Sequence, residues 1–135
     1  MAEKLNVSNL HIINSSGYHL DTSISPIFNN EYDCSGLICA REVFNKHEIN
    51  DLRSICKSNQ WELIEIEHQD INSSLSFRTA MNGLTLPGLF IGSKKLNQKP
   101  ISEFALSNNI IFDSTSVSQF NLSGGSVHCL TNELF

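Results

Sequence analysis

The first part of the chain alternates apolar and polar residues in the manner of β-strands. Two segments, NLHII at 9–13 and GYHLDTSISPIF at 17–28, predict strands separated by a Ser-Ser-Gly turn. Because successive side chains of a strand point to opposite faces, His19 and Asp21 would share one face and Leu20 would lie on the other. CSGLICA at 34–40 predicts a further short strand. The pattern therefore predicts a histidine and an aspartate presented together by a rigid element.

A helix and another strand follow. In NKHEINDLRSICKSN, 45–59, Asn45 is a good N-cap and Glu48 lies three residues later, which is close to a capping box. The helix has one apolar stripe, made of Ile49, Leu52, Ile55 and Cys56. WELIEIEH, 61–68, alternates again and predicts a strand.

The second half repeats this order of elements. GLTLPGLFIG at 83–92 predicts a strand or a tight hairpin broken at Pro87-Gly88, ISEFALSNN at 101–109 a short helix, and NIIFD at 109–113 a strand. The stretch STSVSQFNLSGGSVHCL predicts a loop that leads to a final strand near Cys129. The chain is thus expected to be one α/β domain, 1–135, containing two strand–strand–helix–strand units.

Composition narrows the class of protein. Nine basic against fourteen acidic residues give a net charge of −5, which excludes a basic surface for nucleic acid or an anionic membrane. There is no apolar run long enough for a transmembrane helix, and the first residues do not resemble a secretory signal. Four cysteines at irregular spacing do not indicate a disulfide framework. The expectation is a cytoplasmic protein.

The candidate chemistry centres on cysteine. Cys129 follows a Gly-Gly pair that permits close backbone approach, and a thiol needs a nearby base or a lowered pKa to act as a nucleophile. On a strand, His128 would point away from Cys129 and would be a bystander, whereas His19 could serve if the fold brought it near. The competing interpretation is that Cys129 is a packed sulfur and that His19 and Asp21 are ordinary surface residues.

Other sites are weakly indicated. Cys34 and Cys39 with His47 downstream lack the second ligand pair of a zinc site, and Cys56 belongs to the helix stripe. No Gly-rich segment carries the lysine of a phosphate-binding loop. Neither a metal nor another cofactor is expected.

Three blocks in order, HLDT at 19–22, NGLTLPGLFIG at 82–92 and GGSVHCLT at 124–131, resemble the guanidine-modifying superfamily. That group contains arginine and agmatine deiminases, amidinotransferases and dimethylargininases. Its fold is the α/β propeller, or pentein, of five ββαβ modules. The resemblance implies that this chain is a partial propeller of about two to three modules, similar to the C-terminal half of a family member.

The resemblance also implies roles for individual residues. Cys129 matches the nucleophile that attacks the guanidinium carbon, His19 the general acid/base, and Asp21 the carboxylate that binds guanidinium nitrogens. Asn82, Leu84 and Gly88 match a stretch that shapes the wall of the substrate pocket. Asn82 and Gly125 are candidates for binding the substrate, and Arg78 is a candidate for binding a substrate carboxylate. The implied ligand is a small cationic guanidine of the arginine, agmatine or methylarginine type.

One departure from the family pattern matters for function. Only about eighteen residues precede His19, whereas family members have a comparable stretch there that supplies further modules and a second acidic residue. Three modules cannot close a five-module ring, and open sheet edges favour association. The sequence therefore leaves three alternatives: a hydrolase completed by another copy or a partner chain, a non-catalytic binding or interaction module, and an unrelated α/β domain.

Overall fold

Two units of identical topology make up the fold. The structure is a computed structural model that describes residues 10–17, 19–67, 81–93, 96 and 98–131. The strands are β1 Ile24–Phe28, β2 Cys34–Ala40, β3 Glu62–Ile66, β4 Leu84–Leu86, β5 Leu89–Gly92 and β6 Ile111–Ser114. The helices are α1 Lys46–Asn59, α2 Lys99–Asn108 and the short α3 Ser118–Leu122, and 3-10 turns span Leu20–Thr22, Arg41–Val43 and His128–Leu130.

Each unit is one ββαβ module. In module one, β1 pairs antiparallel with β2, and β2 pairs parallel with β3 after the crossover through α1. In module two, β4, β5 and β6 repeat the same two pairings around α2. The predicted repeat of architecture is therefore confirmed. β1 and β3 are the edge strands of the first sheet, and β4 and β6 are those of the second.

Local sequence signals explain several boundaries. The Asn45 side chain accepts hydrogen bonds from the backbone N–H groups of His47 and Glu48, so α1 begins where the N-cap predicts. Pro87-Gly88 forms the tight turn between β4 and β5, and Gly88 has a φ of +68°, which a glycine adopts without strain. A Cβ at Gly88 would also lie 2.1 Å from the Asn30 side chain.

Three predicted strand segments are wrong. Among the described residues, 10–17 contains no strand, and Leu20–Thr22 is a 3-10 turn, because the His19 carbonyl accepts from the Thr22 and Ser23 hydroxyls at 2.7 and 3.1 Å. Such side-chain bonds compete with extended structure. The final strand near Cys129 is also absent, since α3 and the 3-10 turn His128–Leu130 occupy this segment.

Apolar side chains form two clusters. The α1 cluster lies between α1 and one face of the first sheet, and consists of Leu37, Cys39, Phe44, Ile49, Leu52 and Cys56. The central cluster joins the other face of that sheet to module two, and consists of Ile27, Ile38, Ala40, Ile64, Ile66, Met81, Phe90, Leu96, Ile101, Phe104 and Ile110. The first sheet is thus covered on both faces. No helix in the described part of the chain is long and apolar enough to cross a membrane.

Candidate active site

The 3-10 turn before β1 fixes the position of Asp21. Thr22 and Ser23 are buried, and their hydroxyls bind back to the His19 carbonyl, so the turn is held on both sides of Asp21. Because Asp21 lies in a 3-10 turn and not on a strand, the period-two argument that would place His19 and Asp21 on one face does not apply. Asp21 instead points towards the start of module two, where it meets Asn82.

Asn82 joins three parts of the site. Its side chain is fully buried at 0% exposure. Its Nδ2 donates to Asp21 Oδ2 at 2.6 Å, and its Oδ1 accepts from the Cys129 backbone N–H at 3.2 Å. Its backbone carbonyl accepts from the His128 N–H at 3.2 Å. One buried amide therefore sets the separation between the carboxylate and the turn that carries the cysteine.

The C-terminal turn is shaped by the glycine pair. Gly124 has a φ of +85°, and Asn121 Nδ2 donates to the Gly125 carbonyl at 2.8 Å, which turns the chain back after α3. A Cβ at Gly125 would lie 3.7 Å from Cys129 Cβ, an ordinary contact. Gly124 is thus required by its backbone angle, while Gly125 is not required by sterics.

His128 takes part in the cluster, and the expectation that it is a bystander is wrong. Its Nδ1 lies 3.1 Å from Asp21 Oδ2, the same oxygen that Asn82 binds. The prediction assumed a strand, on which neighbouring side chains point in opposite directions. In the 3-10 turn, neighbours lie only 120° apart, so His128 and Cys129 can both serve one site.

Cys129 differs in environment from the other thiols. It is exposed, whereas Cys39 and Cys56 are buried and Cys34 is half-buried. Burial raises the pKa of the Cys39 thiol to about 12 and that of Cys56 to about 11, and it also raises the pKa of Cys34. Those three thiols stay protonated at neutral pH, which leaves Cys129 as the accessible sulfur. The prediction that Cys56 lies in the core is confirmed.

The remaining predicted site residues are less closely joined. His19 lies directly before the Asp21 turn with an exposed side chain and an extended backbone at φ −131°, ψ 159°. Its role as general acid/base stays a prediction, as does substrate binding by Gly125. Arg78 lies outside the described residues. Within the described segments, no three metal-binding side chains come together, and Cys34 and Cys39 contribute to no such group.

A cleft of about 420 Å³ opens beside the cluster, between the edge strands of the two modules. Asp21 and His128 line it at one end, and β1 and β4 contribute Pro26 and Thr85. The aromatic pair Phe28 and Tyr32 also lines the cleft, with ring centroids 5.4 Å apart. The site thus combines an anionic group, an imidazole, an accessible thiol on an adjacent residue and an apolar wall.

Solved structures share this arrangement of modules. The N-terminal domain of ArgZ bound to product, an arginine dihydrolase from the ornithine-ammonia cycle in cyanobacteria, matches with a TM-score of 0.66 and 22% identity over 97% of this chain and 44% of that chain. AgrE in complex with ornithine and NAD⁺ matches with a TM-score of 0.60 and 22% identity over 84% of this chain and 15% of that chain. The chain has a partial pentein fold.

A second form of the ArgZ domain, an Asn-to-Ser variant bound covalently to a reaction intermediate, matches this partial pentein with a TM-score of 0.65 and 22% identity over 96% of this chain and 43% of that chain. The chain thus spans less than half the length of the ArgZ domain. No protein-family model matches its sequence, and no curated protein is similar to it. The likeness establishes the fold, as the sequence resemblance implied.

Two residues of this site have a larger structural role than the sequence predicts. The sequence predicts only a place in the pocket wall for Asn82, yet this residue connects Asp21 to the Cys129 backbone. A signal for it existed, because an Asn-Gly pair before a short apolar strand often marks a turn. The position of His128 depends on the 3-10 turn His128–Leu130, and the spacing of apolar residues in SVHCL does not predict this turn.

Proposed function

We propose that this chain carries the cysteine-bearing part of a hydrolase of guanidino compounds. The observation that carries the proposal is the cluster formed by Asp21, Asn82, His128 and the Cys129 backbone, which joins positions 107 residues apart. A carboxylate that Asn82 joins to the turn carrying an accessible thiol suits a cationic, planar substrate, since the carboxylate can bind guanidinium nitrogens while the sulfur attacks the central carbon. The substrate class is arginine, agmatine or methylarginine.

The chemistry proceeds in two steps. The Cys129 thiolate adds to the guanidinium carbon, and the C–N bond breaks as an acid protonates the departing ammonia or amine, leaving a covalent thiouronium. A base then takes a proton from water as the oxygen adds to the same carbon. The C–S bond breaks, the thiolate is regenerated and a ureido product leaves. His19 is the acid/base that the resemblance supplies, and His128 is a second imidazole held by Asp21.

Asn82 acts in this proposal as a positioning residue. Its amide orients the Asp21 carboxylate through Oδ2 and the Cys129 turn through the backbone N–H, while lying buried behind both. The covalently bound intermediate and the product found in the ArgZ domain are properties of that protein, and they support a covalent route for a chain of the same fold.

Completion of the site by another copy or a partner chain is part of the proposal. Paired residues of the second sheet place five apolar side chains and one carboxylate on one face, here called the outer face: Leu84, Leu86, Leu89, Ile91, Ile111 and Asp113. Ile111 is 64% exposed on it. In module one, the corresponding face is covered by residues of α2, which indicates that the outer face fits a further ββαβ module.

A non-catalytic binding or interaction module is the second candidate. The outer face supports it, because an exposed apolar sheet face favours association whether or not turnover occurs. The chain spans 44% of the ArgZ domain that it matches, and a binding function does not require that a complete catalytic site be present in this length. This candidate retains ligand binding by Asp21 and drops the reaction at Cys129.

Turnover separates the two candidates. The purified chain, alone and with any co-purifying partner, is incubated with arginine, agmatine and methylated arginines, and ureido product is measured. We expect product from the native protein, loss of at least about 10³-fold in Cys129→Ser, and retained activity in the control Cys34→Ser, because Cys34 is half-buried in β2. Absence of product under every condition would leave the binding module as the function.

A further inference from the structure

We infer that the aromatic pair Phe28 and Tyr32 is a specificity element that holds the apolar arm of the guanidino ligand. The inference rests on the proposed function and adds to it the part of the ligand remote from the guanidinium. Both rings line the cleft of about 420 Å³ that also receives Asp21 and His128. An aromatic wall facing an anionic end is suited to an organic cation with an extended aliphatic or flat arm.

Tyr32 occupies a backbone position that its side chain disfavours. Its φ is +73°, in the left-handed region, where a bulky aromatic residue is strained and where Gly or Asn is usual. Despite this conformation, Tyr32 is 62% exposed, so burial in the core does not account for a tyrosine here. A strained aromatic at the rim of a cleft is more readily explained by ligand contact than by folding stability.

The loop that presents Tyr32 is held rigidly. Asn29 Oδ1 accepts from the backbone N–H groups of Glu31 and Asp33 at 3.0 and 2.8 Å, and Tyr32 N–H donates to the Asn29 carbonyl at 3.2 Å. Module two braces the same loop, because Gly88 N–H donates to the Phe28 carbonyl at 3.1 Å. The wall is therefore fixed in place before a ligand arrives, which lowers the entropic cost of binding.

Geometry sets what the wall can contact. Asp21 precedes β1, while Phe28 ends it, and the strand between Ile24 and Phe28 spans about 13 Å at ~3.3 Å per residue. Side chains at both ends line the same cleft and span part of this backbone distance, and an arm of several methylenes on a guanidinium bound at Asp21 spans the rest. Pro26 and Thr85 lie along this path, so the arm would run over apolar and weakly polar surface throughout.

The test is a series of guanidines of increasing arm length. Guanidinium, butylguanidine and hexylguanidine are titrated into the full ¹⁵N-labelled chain, and Kd values are taken from amide chemical shifts. We expect hexylguanidine to bind at least about tenfold more tightly than guanidinium, with affinity rising along the series. Tyr32→Asn should reduce that ratio to about twofold, while Tyr32→Phe, the matched control that keeps the ring, should preserve it.

Two further readouts exclude a merely structural role. Asn tolerates the left-handed backbone, so Tyr32→Asn should leave Tm unchanged or raised, although one ring contact is lost. Asp21→Asn should weaken all three ligands by the same factor. Equal affinities along the series, an arm effect that survives Tyr32→Asn, or a marked fall of Tm in that variant would overturn the inference.

This outcome is independent of turnover. If affinity depends on arm length but no ureido product forms, the role of Phe28 and Tyr32 is supported and the hydrolase function is contradicted. If ureido product forms but affinity does not depend on arm length, the hydrolase function is supported and the role of Phe28 and Tyr32 is contradicted.

Discussion

The two modules share one topology but differ in what covers their sheets. In module one, α1 packs on one face of the sheet and the central cluster on the other, so β2 is buried along most of its length. In module two, Phe90 and Phe112 face the central cluster, while the outer face remains open, with Ile111 64% exposed. The same order of elements therefore yields a complete core only where a second module follows.

α2 is the element that creates this difference. Phe104 is buried at 1% exposure, and its ring lies so close to Gly36 that a Cβ there would approach it to 3.0 Å. The helix of module two thus packs on the sheet of module one, and the first sheet owes its second covered face to its neighbour. Module one of this chain therefore depends on module two for its second covered face.

The largest expected effect comes from breaking this packing. Phe104→Ala should lower the free energy of unfolding by about 3–5 kcal/mol, because it leaves a cavity between the modules. Leu106→Ala, on the same helix but 84% exposed, is the matched control and should change stability by less than about 0.5 kcal/mol. Urea unfolding measures both. Similar losses in the two variants would contradict the packing of α2 between the sheets.

A second comparison uses equivalent isoleucines in the last strand of each module. Ile64, on β3, is buried in the central cluster, and Ile64→Ala should cost about 2–4 kcal/mol. Ile111, on β6, belongs to the outer face, and Ile111→Ala should leave the stability of the isolated chain within about 0.5 kcal/mol of the native value.

The same position reports on assembly. If copies associate through the outer face, sedimentation should show an oligomer for the native chain and a monomer for Ile111→Lys, since a charge on this face is costly to bury. A native chain that sediments as a monomer would contradict self-association and leave a partner chain as the means of completing the site.

The smallest expected effect concerns the thiols of module one. The pKa values of Cys39 and Cys56 are raised to about 12 and 11, so the folded state keeps protons that the unfolded state releases above pH 9. Stability is therefore fully present below pH 9 and declines as the pH rises towards these values. Cys56→Ala should make the decline shallower, by less than about 1.4 kcal/mol per pH unit.

Equilibrium unfolding between pH 8 and pH 11 measures this slope. Cys129→Ala is the control, because that thiol is exposed, and it should leave the slope unchanged. An equal change in both variants would show that burial of Cys56 in the α1 cluster is not the cause.

Much of this architecture could be read from the sequence. Asn45 and Pro87-Gly88 are local signals. Helix α1 begins after the Asn45 N-cap, and the chain turns between β4 and β5 at Pro87-Gly88, as these residues predict. The repeat of ββαβ order followed from the alternation of apolar residues. These features depend on neighbours along the chain, which a sequence displays directly.

The site was harder to predict because it depends on contacts between distant residues. The turn at Leu20–Thr22 arises from hydroxyls that bind back to the His19 carbonyl, and the alternation of residues there resembles a strand. The positions of His128 and Cys129 on a 3-10 turn depend on Asn82, which lies more than forty residues earlier. The resemblance to guanidine-modifying enzymes names Asp21, Asn82 and Cys129, but it does not indicate that Asn82 joins the other two by hydrogen bonds.

The central claim is that Asp21 recruits a guanidinium-like cation to Cys129. Its most direct test compares two alkylating reagents of similar size, the cationic 2-chloroacetamidine and the neutral 2-chloroacetamide, with the adduct at each cysteine quantified by mass spectrometry at neutral pH. Cys129 should favour the cationic reagent by at least about tenfold, and this preference should disappear in Asp21→Asn, while the slow labelling of Cys34 shows no preference. A Cys129 that reacts with both reagents at equal rates, or one whose preference survives in Asp21→Asn, would contradict the account.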